Sequence, residues 1–426
     1  MTVFVFIASL LAAMALGMPL AFSLIVSGVA LMLHLDNFDT QIVSQNLING
    51  ADNFPLMAVP FFMLAGELMN AGGMSRRIVN SALVWVGHFK GGLGYVAVFA
   101  AIIMASLSGS AVADTAALAA VLMPMMRDAG YRMDRSAGLI AAGGIIAPVI
   151  PPSIGFILFG VIGGVSISKL FMAGIFPGIL MGVALLITWW IVARKDDVKV
   201  SARVPMKEKV RVTIDAFWCY LLALTIIGGM KMGIFTPTEA AVVAVVYSLL
   251  IGLFVYREIK FKDLYGIILA AAKTSSVVMF LVAAALVSAW LITIANIPAQ
   301  VVDMLRPFID NPTLLMVMLM LMVLIVGTAL DFAPTVLILT PVLMPLVREA
   351  GINPVYFGVL FIINNAIGSL TPPVGTVLNV VCGVGRIPMH EVIRGVMPFL
   401  ISQVVVMGLL IAFPILVMGP LKWLSS

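Results

Sequence analysis

Charge is scarce in this chain. Only 10% of its 426 residues are Asp, Glu, Lys or Arg, and 62% are hydrophobic. An ordinary water-soluble domain carries ~25% charged residues. No water-soluble fold hides that much apolar surface, so a bilayer has to solvate much of it. The stretches 136–168, 350–385 and 395–421 hold none of the four charged types. Each exceeds the ~20 residues that carry a helix across ~30 Å of hydrocarbon. Roughly ten to twelve membrane segments are expected on that length, some of them incomplete.

Other absences narrow the class. No Lys or Arg precedes Arg76, and the first 35 residues are uncharged. A secretory signal would start with a basic region and have a shorter apolar run, so this segment reads as mature membrane helix. Of the two cysteines, Cys219 and Cys382, neither has a partner at metal or redox spacing, and both are expected as buried thiols. His34, His88 and His390 are scattered and suggest no metal site. The ten-residue alternation of an outer-membrane barrel is missing, so the fold is all-α. HExxH, a paired-aspartate metal motif and GxSxG are missing too, which argues against an enzyme. The net charge of +5 lies mainly in loops, where the positive-inside rule accounts for it, so no nucleic-acid partner is implied.

The charges that are present mark out the architecture. Arg194, Lys195, Lys199, Arg203, Lys207, Lys209 and Arg211 make a basic connection over 194–215, expected as a cytoplasmic loop. It separates a first half, 1–193, from a second, 216–426. Arg257, Lys260 and Lys262 form another basic loop on the same side, after two spans that turn near Gly233. The loops with Asp36 and Asp39, and with Asp303, Arg306 and Asp310, are expected on the other side.

The halves repeat each other at a shift of 221 residues. VLMPMMRDAGY at 121–131 lies over VLMPLVREAGI at 342–352, Pro151-Pro152 over Pro372-Pro373, Gly174 over Gly395 and Pro177 over Pro398. The first copy's connection carries Arg127, Arg132 and Arg135, the second's only Arg348. The copies therefore face opposite ways across the membrane. Inverted-topology repeats are characteristic of secondary transporters, with the site at the repeat interface.

Each copy is interrupted twice. SLSGSAVADT at 106–115 and GTALDFAPT at 327–335 predict re-entrant hairpins over 91–126 and 312–347. APVIPPSIG at 147–155 and SLTPPVGT at 369–376 predict broken helices over 136–162 and 354–384. Proline lacks an amide donor and glycine frees the backbone to turn. Such breaks in a membrane must be buried in protein or line a cavity. Freed carbonyls can hold a bare cation, and freed amides at a helix start can hold a carboxylate. Ser106, Ser108, Ser110 and Thr371 add hydroxyls. Packing kinks are the alternative for any single break, but four breaks paired by the repeat favour a site.

Four acids stand in apolar surroundings, where an ion is costly. Asp114 and Asp331 follow the two hairpin breaks. They either orient the tips and meet substrate or ion, or serve as N-caps. Glu239 in FTPTEAA fits a capped first helical turn. Glu67 stays open between a helix partner and a subunit contact. Arg127 and Arg348 read as anchors at segment ends. Asn364 and Asn365, two amides in an apolar helix, demand partners and are added as substrate candidates.

SLSGSAVADTAA, IAPVIPPS, GIFTPTEAA, LTPVLMP and LTPPVG together resemble the large membrane subunit of the tripartite ATP-independent periplasmic (TRAP) transporters, over almost the whole chain. That resemblance implies a multi-pass protein of the bacterial inner membrane and an elevator mechanism. It implies import of an organic acid driven by a Na⁺ gradient, with Na⁺ as coupling ion and no cofactor. A soluble periplasmic binding protein and a small membrane subunit would be the partners. By motif, one sodium site involves Ser106, Ser108 and Gly109 with Ala147, Ile150 and Pro152, and a second Gly327 and Ala329 with Thr371, Pro372 and Gly375. The substrate carboxylate is expected near Ser110, Asp114, Gly155 and Asp331. A stand-alone Na⁺/dicarboxylate symporter of related fold is the main alternative, and an ion channel fits the paired hairpins less well.

Overall fold

The computed structural model describes residues 2–194, 203–297, 299–300, 308–309 and 311–425, and every regular element among them is helical. Seven of these helices are long and apolar enough to cross a membrane alone, or eight if one bent pair is counted as a span. Most of the remaining apolar helices are 10–17 residues long, the length that breaks and short hairpins leave behind. Lys195, Lys199, Asp303, Arg306 and Asp310 lie outside the described residues.

An outer body is built around the long helix Leu264–Ile294. Leu20–His34, Thr40–Ala51 and Ala58–Ala71 pack on it, and Pro237–Leu250 packs on Ala58–Ala71. Small residues set the approach: a Cβ on Gly50 would lie 2.9 Å from the Ala283 Cα. Thr2–Ala15 and Leu20–His34 lie against each other, each shorter than a full span. Thr236 caps Pro237–Leu250, with Glu239 returning a bond to the Thr236 amide at 2.8 Å; this is the structural role its place in FTPTEAA fits. The connection expected as a loop over 194–215 is helical over Met206–Asp215, a segment with no buried residue that carries Lys207, Glu208, Lys209, Arg211 and Asp215. It bends 51° into Phe217–Lys231. At this basic face Arg77 bridges Glu258 (2.7 Å) and Asp215 (3.1 Å) and lies over the Tyr256 ring.

The inner body contains the two repeats. Gly92–Ser108 and Ala111–Asp128 form the first hairpin, and Pro312–Ala329 and Phe332–Glu349 the second. Each runs two residues beyond its expected end. The turn at Gly109 takes φ +64°, which glycine adopts without strain, whereas Leu330 makes the second turn in extended backbone. Met133–Gly144 and Ile154–Gly163 are the parts of the first broken helix, and Pro354–Ser369 and Thr376–Gly385 those of the second. Pro151-Pro152 and Pro372-Pro373, paired by the repeat, are both cis.

The copies are interleaved. Ile154–Gly163 packs on the second hairpin's return arm, and Thr376–Gly385 on the first's. The repeated arginines complete the exchange: Arg127 donates to the Gly385 carbonyl at 2.8 Å and Arg348 to the Gly163 carbonyl at 2.7 Å. Each therefore satisfies a carbonyl at the end of the other copy's short helix, where a cation is favourable. Met133–Gly144 meets Met389–Ala412 backbone to backbone, since a Cβ on Gly138 would stand 2.5 Å from the Gly395 carbonyl. Asn364 and Asn365 find their partners here. Asn364 donates to the Met320 carbonyl and Asn365 to the Phe332 carbonyl at 2.7 Å, so both amides hold the second hairpin. Cys219 is buried, but Cys382 is only half-buried, because its short helix lies at the edge of the inner body.

Candidate functional site

Four helices start at one place. Ala111, Ile154, Phe332 and Thr376, the first residues of the two hairpin return arms and of the two distal broken-helix segments, all line a single cavity of about 320 Å³. A helix start exposes up to four amide N–H groups that have no intrahelical partner and carries the positive end of the helix dipole. Gly109, Ser110, Pro148, Asp331 and Ser369 line the same space. Met63, Thr274 and Val278 close it from the outer body. Among the described residues, Asp331 is the only charged one in this lining. The cavity therefore lies between the repeats and at the seam between the two bodies.

The tips are finished differently. Ser110 caps its helix by accepting from the Ala113 amide at 3.4 Å, and Ser153 caps Ile154–Gly163 by accepting from Phe156 at 3.1 Å. Asp331 occupies the same cap position on the second return arm, but its side chain makes no capping bond. Its exposed carboxylate is left to the cavity, and the N-cap alternative for Asp331 is set aside. A second cavity of about 570 Å³, walled by Pro19, Phe22 and Val277, also reaches Asp331 and Ala333. Asp114 is buried, and Ser108 donates its hydroxyl to the Asp114 Oδ1. That bond ties the first tip together across its turn. The Asp114 Oδ2 has no partner among the described residues.

The residues expected around cations fall into two groups. Around the first break, residues 145–153 are all buried. There Gly109 abuts Pro152 so closely that a Cβ would come 2.2 Å from its carbonyl oxygen. The Ala147, Ile150 and Pro152 carbonyls accept no hydrogen bond among the described residues, although buried carbonyls are normally satisfied. Ser108 lies at the same turn, while Ser106 returns its hydroxyl to the Ile103 carbonyl. In the second group Gly327 faces Gly368, with the Asn365 Oδ1, which has no partner among the described residues, 3.0 Å from where a Cβ on Gly327 would stand. Ala329 and Val374 share the larger cavity, and Thr371 bonds back to Ile367. Pro373 and Val374 are exposed, so this break is the more open of the two.

Of the substrate candidates, Ser110 and Asp331 line the smaller cavity. Gly155 sits beneath Phe332, whose ring would meet a Cβ there at 2.6 Å. Asp114, Asn364 and Asn365 are not in the cavity lining: Asp114 ties the first tip, Asn365 holds the second at Phe332, and Asn364 bonds mid-arm at Met320. Sequence reasoning missed the outer-body residues Met63 and Thr274. The run of three hydroxyl residues Thr274, Ser275 and Ser276 is the one signal for Thr274, and nothing local distinguishes Met63 from its apolar neighbours.

Comparison with known proteins gives this geometry a context. Residues 7–416 match the DctM family, described as the DctM component of the tripartite ATP-independent periplasmic transporter. The chain is 55% identical, over the whole of both chains, to the 2,3-diketo-L-gulonate TRAP transporter large permease protein YiaN of Escherichia coli (strain K12). It is 38% identical to the sialic acid TRAP transporter large permease protein SiaM of Vibrio cholerae, over 93% of each chain. Among solved structures, the Alcanivorax borkumensis YdaH transporter, with its unusual topology, has the same fold. It aligns with TM-score 0.67 at 14% identity, covering 92% of this chain and 91% of that one.

Proposed function

Since the chain belongs to the DctM family of TRAP transporters, and is thus a multi-pass large permease of the bacterial inner membrane and not an enzyme, we propose that it imports a small sugar acid or similar carboxylate in symport with Na⁺. The observation that carries this reading is the convergence of four helix starts on one cavity. Amide donors and four positive dipole ends favour a carboxylate there without a basic side chain. A volume of about 320 Å³ is at the small end of the ~300–1,000 Å³ of small-molecule sites. It suits an acid of the size carried in the names of the two relatives.

Coupling follows from the same wall. The carbonyls left over at the first break and the Asn365 Oδ1 at the second are hard oxygen donors, suited to Na⁺. A cation at either group would offset the Asp331 charge and strengthen the hold on an anion beside it. Neither ion nor substrate then enters favourably alone. Because the cavity is closed by the outer body, transport requires the inner body to move against it, an elevator motion. A small membrane subunit and a periplasmic binding protein complete the proposed system.

Reconstitution tests this reading. The chain, its small subunit and the binding protein in liposomes should take up labelled sugar acid only with an inward Na⁺ gradient. Uptake that ignores Na⁺ overturns the coupling. Saturable uptake without any binding protein favours a stand-alone symporter.

A further inference from the structure

At the basic face, away from the transport cavity, a crevice of about 540 Å³ opens between the turn after Met74–Val86 and the end of Ile167–Ala193. Phe99 and Leu186 are among its apolar lining residues, and the cations Lys90 and Arg194 line it too. Three aromatic residues around it are exposed: Phe89 (51%), Trp190 (48%) and Phe99 (39%). In a water-filled setting that surface would be unfavourable, and in a membrane it matches lipid.

Both cations line the crevice, and among the described residues the groups that hold them are neutral. Lys90 donates to the Arg194 carbonyl at 3.2 Å, and the Arg194 guanidinium lies 3.4 Å from the centre of the Trp190 ring. No carboxylate lines the crevice among the described residues. The depth is fixed by length. Ile167–Ala193 has 27 residues, and such a helix extends about 40 Å against ~30 Å of hydrocarbon. Its last turn, with Trp190 and Arg194, therefore stands at headgroup level, where tryptophan and basic residues anchor.

We infer that this crevice binds one anionic phospholipid from the leaflet at the basic face, its phosphate between Lys90 and Arg194 and an acyl chain along Phe99 and Leu186. Like charges side by side are stabilised by an anion between them, and the apolar lining accepts a chain that a soluble anion lacks. The Trp190 ring, already beneath the guanidinium, covers the glycerol region.

Native mass spectrometry of the full chain with its small subunit tests this, with phosphatidylglycerol, phosphatidylcholine and inorganic phosphate as probes. One phosphatidylglycerol should be retained in preference to phosphatidylcholine, and millimolar phosphate should not displace it. In Lys90→Ala/Arg194→Ala its affinity should fall about thirty-fold, or ~2 kcal/mol at ~1 kcal/mol per basic side chain near the surface. Lys90→Arg/Arg194→Lys, which keeps both charges, should retain the lipid, and both variants should keep the parental melting temperature. Unchanged retention in the alanine pair overturns the site. So does displacement by phosphate, which marks a soluble-anion site. Loss of the small subunit with lipid retained also overturns it, since the crevice would then hold a protein helix.

Discussion

Asp331 and Gly109 illustrate two ways in which a single residue can matter at a hairpin tip. Asp331 stands where a capping residue belongs yet leaves its carboxylate to the cavity. If that charge helps to hold the coupling cation, Asp331→Asn removes one charge-assisted contact, typically ~1.5–3 kcal/mol. Half-saturation by Na⁺ in uptake assays should then rise tenfold or more. Gly109 combines a positive φ with contact on Pro152. Gly109→Val must both strain the turn and push the first break away. Uptake should be lost while the protein still inserts and purifies, and normal Na⁺-dependent uptake would remove Gly109 from the ion site. Asp331 was recognisable as an acid after a break. Its freedom from the cap was not, because capping depends on the rotamer that the surrounding tip allows.

Short helices in this fold are held by the copy they do not belong to. Ile154–Gly163 and Thr376–Gly385 have 10 residues each, too few to persist alone. Packing on the opposite hairpin and the two arginine clasps fix them. Arg127→Ala and Arg348→Ala each remove a charged bond to a carbonyl, worth ~1.5–3 kcal/mol. The melting temperature in detergent should drop for each. The double variant should lose about the sum, since the clasps share no partner. A larger, coupled loss would point to one cooperative interlock. The hairpins and breaks themselves were legible from proline, glycine and the 221-residue shift. The exchange of partners was not, because a repeat gives each arm's identity but not which copy it touches.

In the whole molecule, a seam runs through the cavity. Met63 belongs to the outer body and Val112 to the first tip, and both line the same space. With Cys219 and Cys382 replaced, Met63→Cys/Val112→Cys cross-linked by a short bifunctional reagent should lose uptake, and cleaving the link should restore it. Full activity in the cross-linked protein would exclude relative motion of the two bodies as the transport step.

Scarcity of charge settled the solvent, because apolar side chains in these numbers have nowhere to go but lipid. The repeat and its paired interruptions settled the architecture, because proline and glycine act on their own stretch of backbone. The meeting of four helix starts, the closure by Met63 and Thr274 and the crossed arginine clasps were decided only in three dimensions. They join residues far apart along the chain, through packing that leaves no periodicity for a sequence to carry.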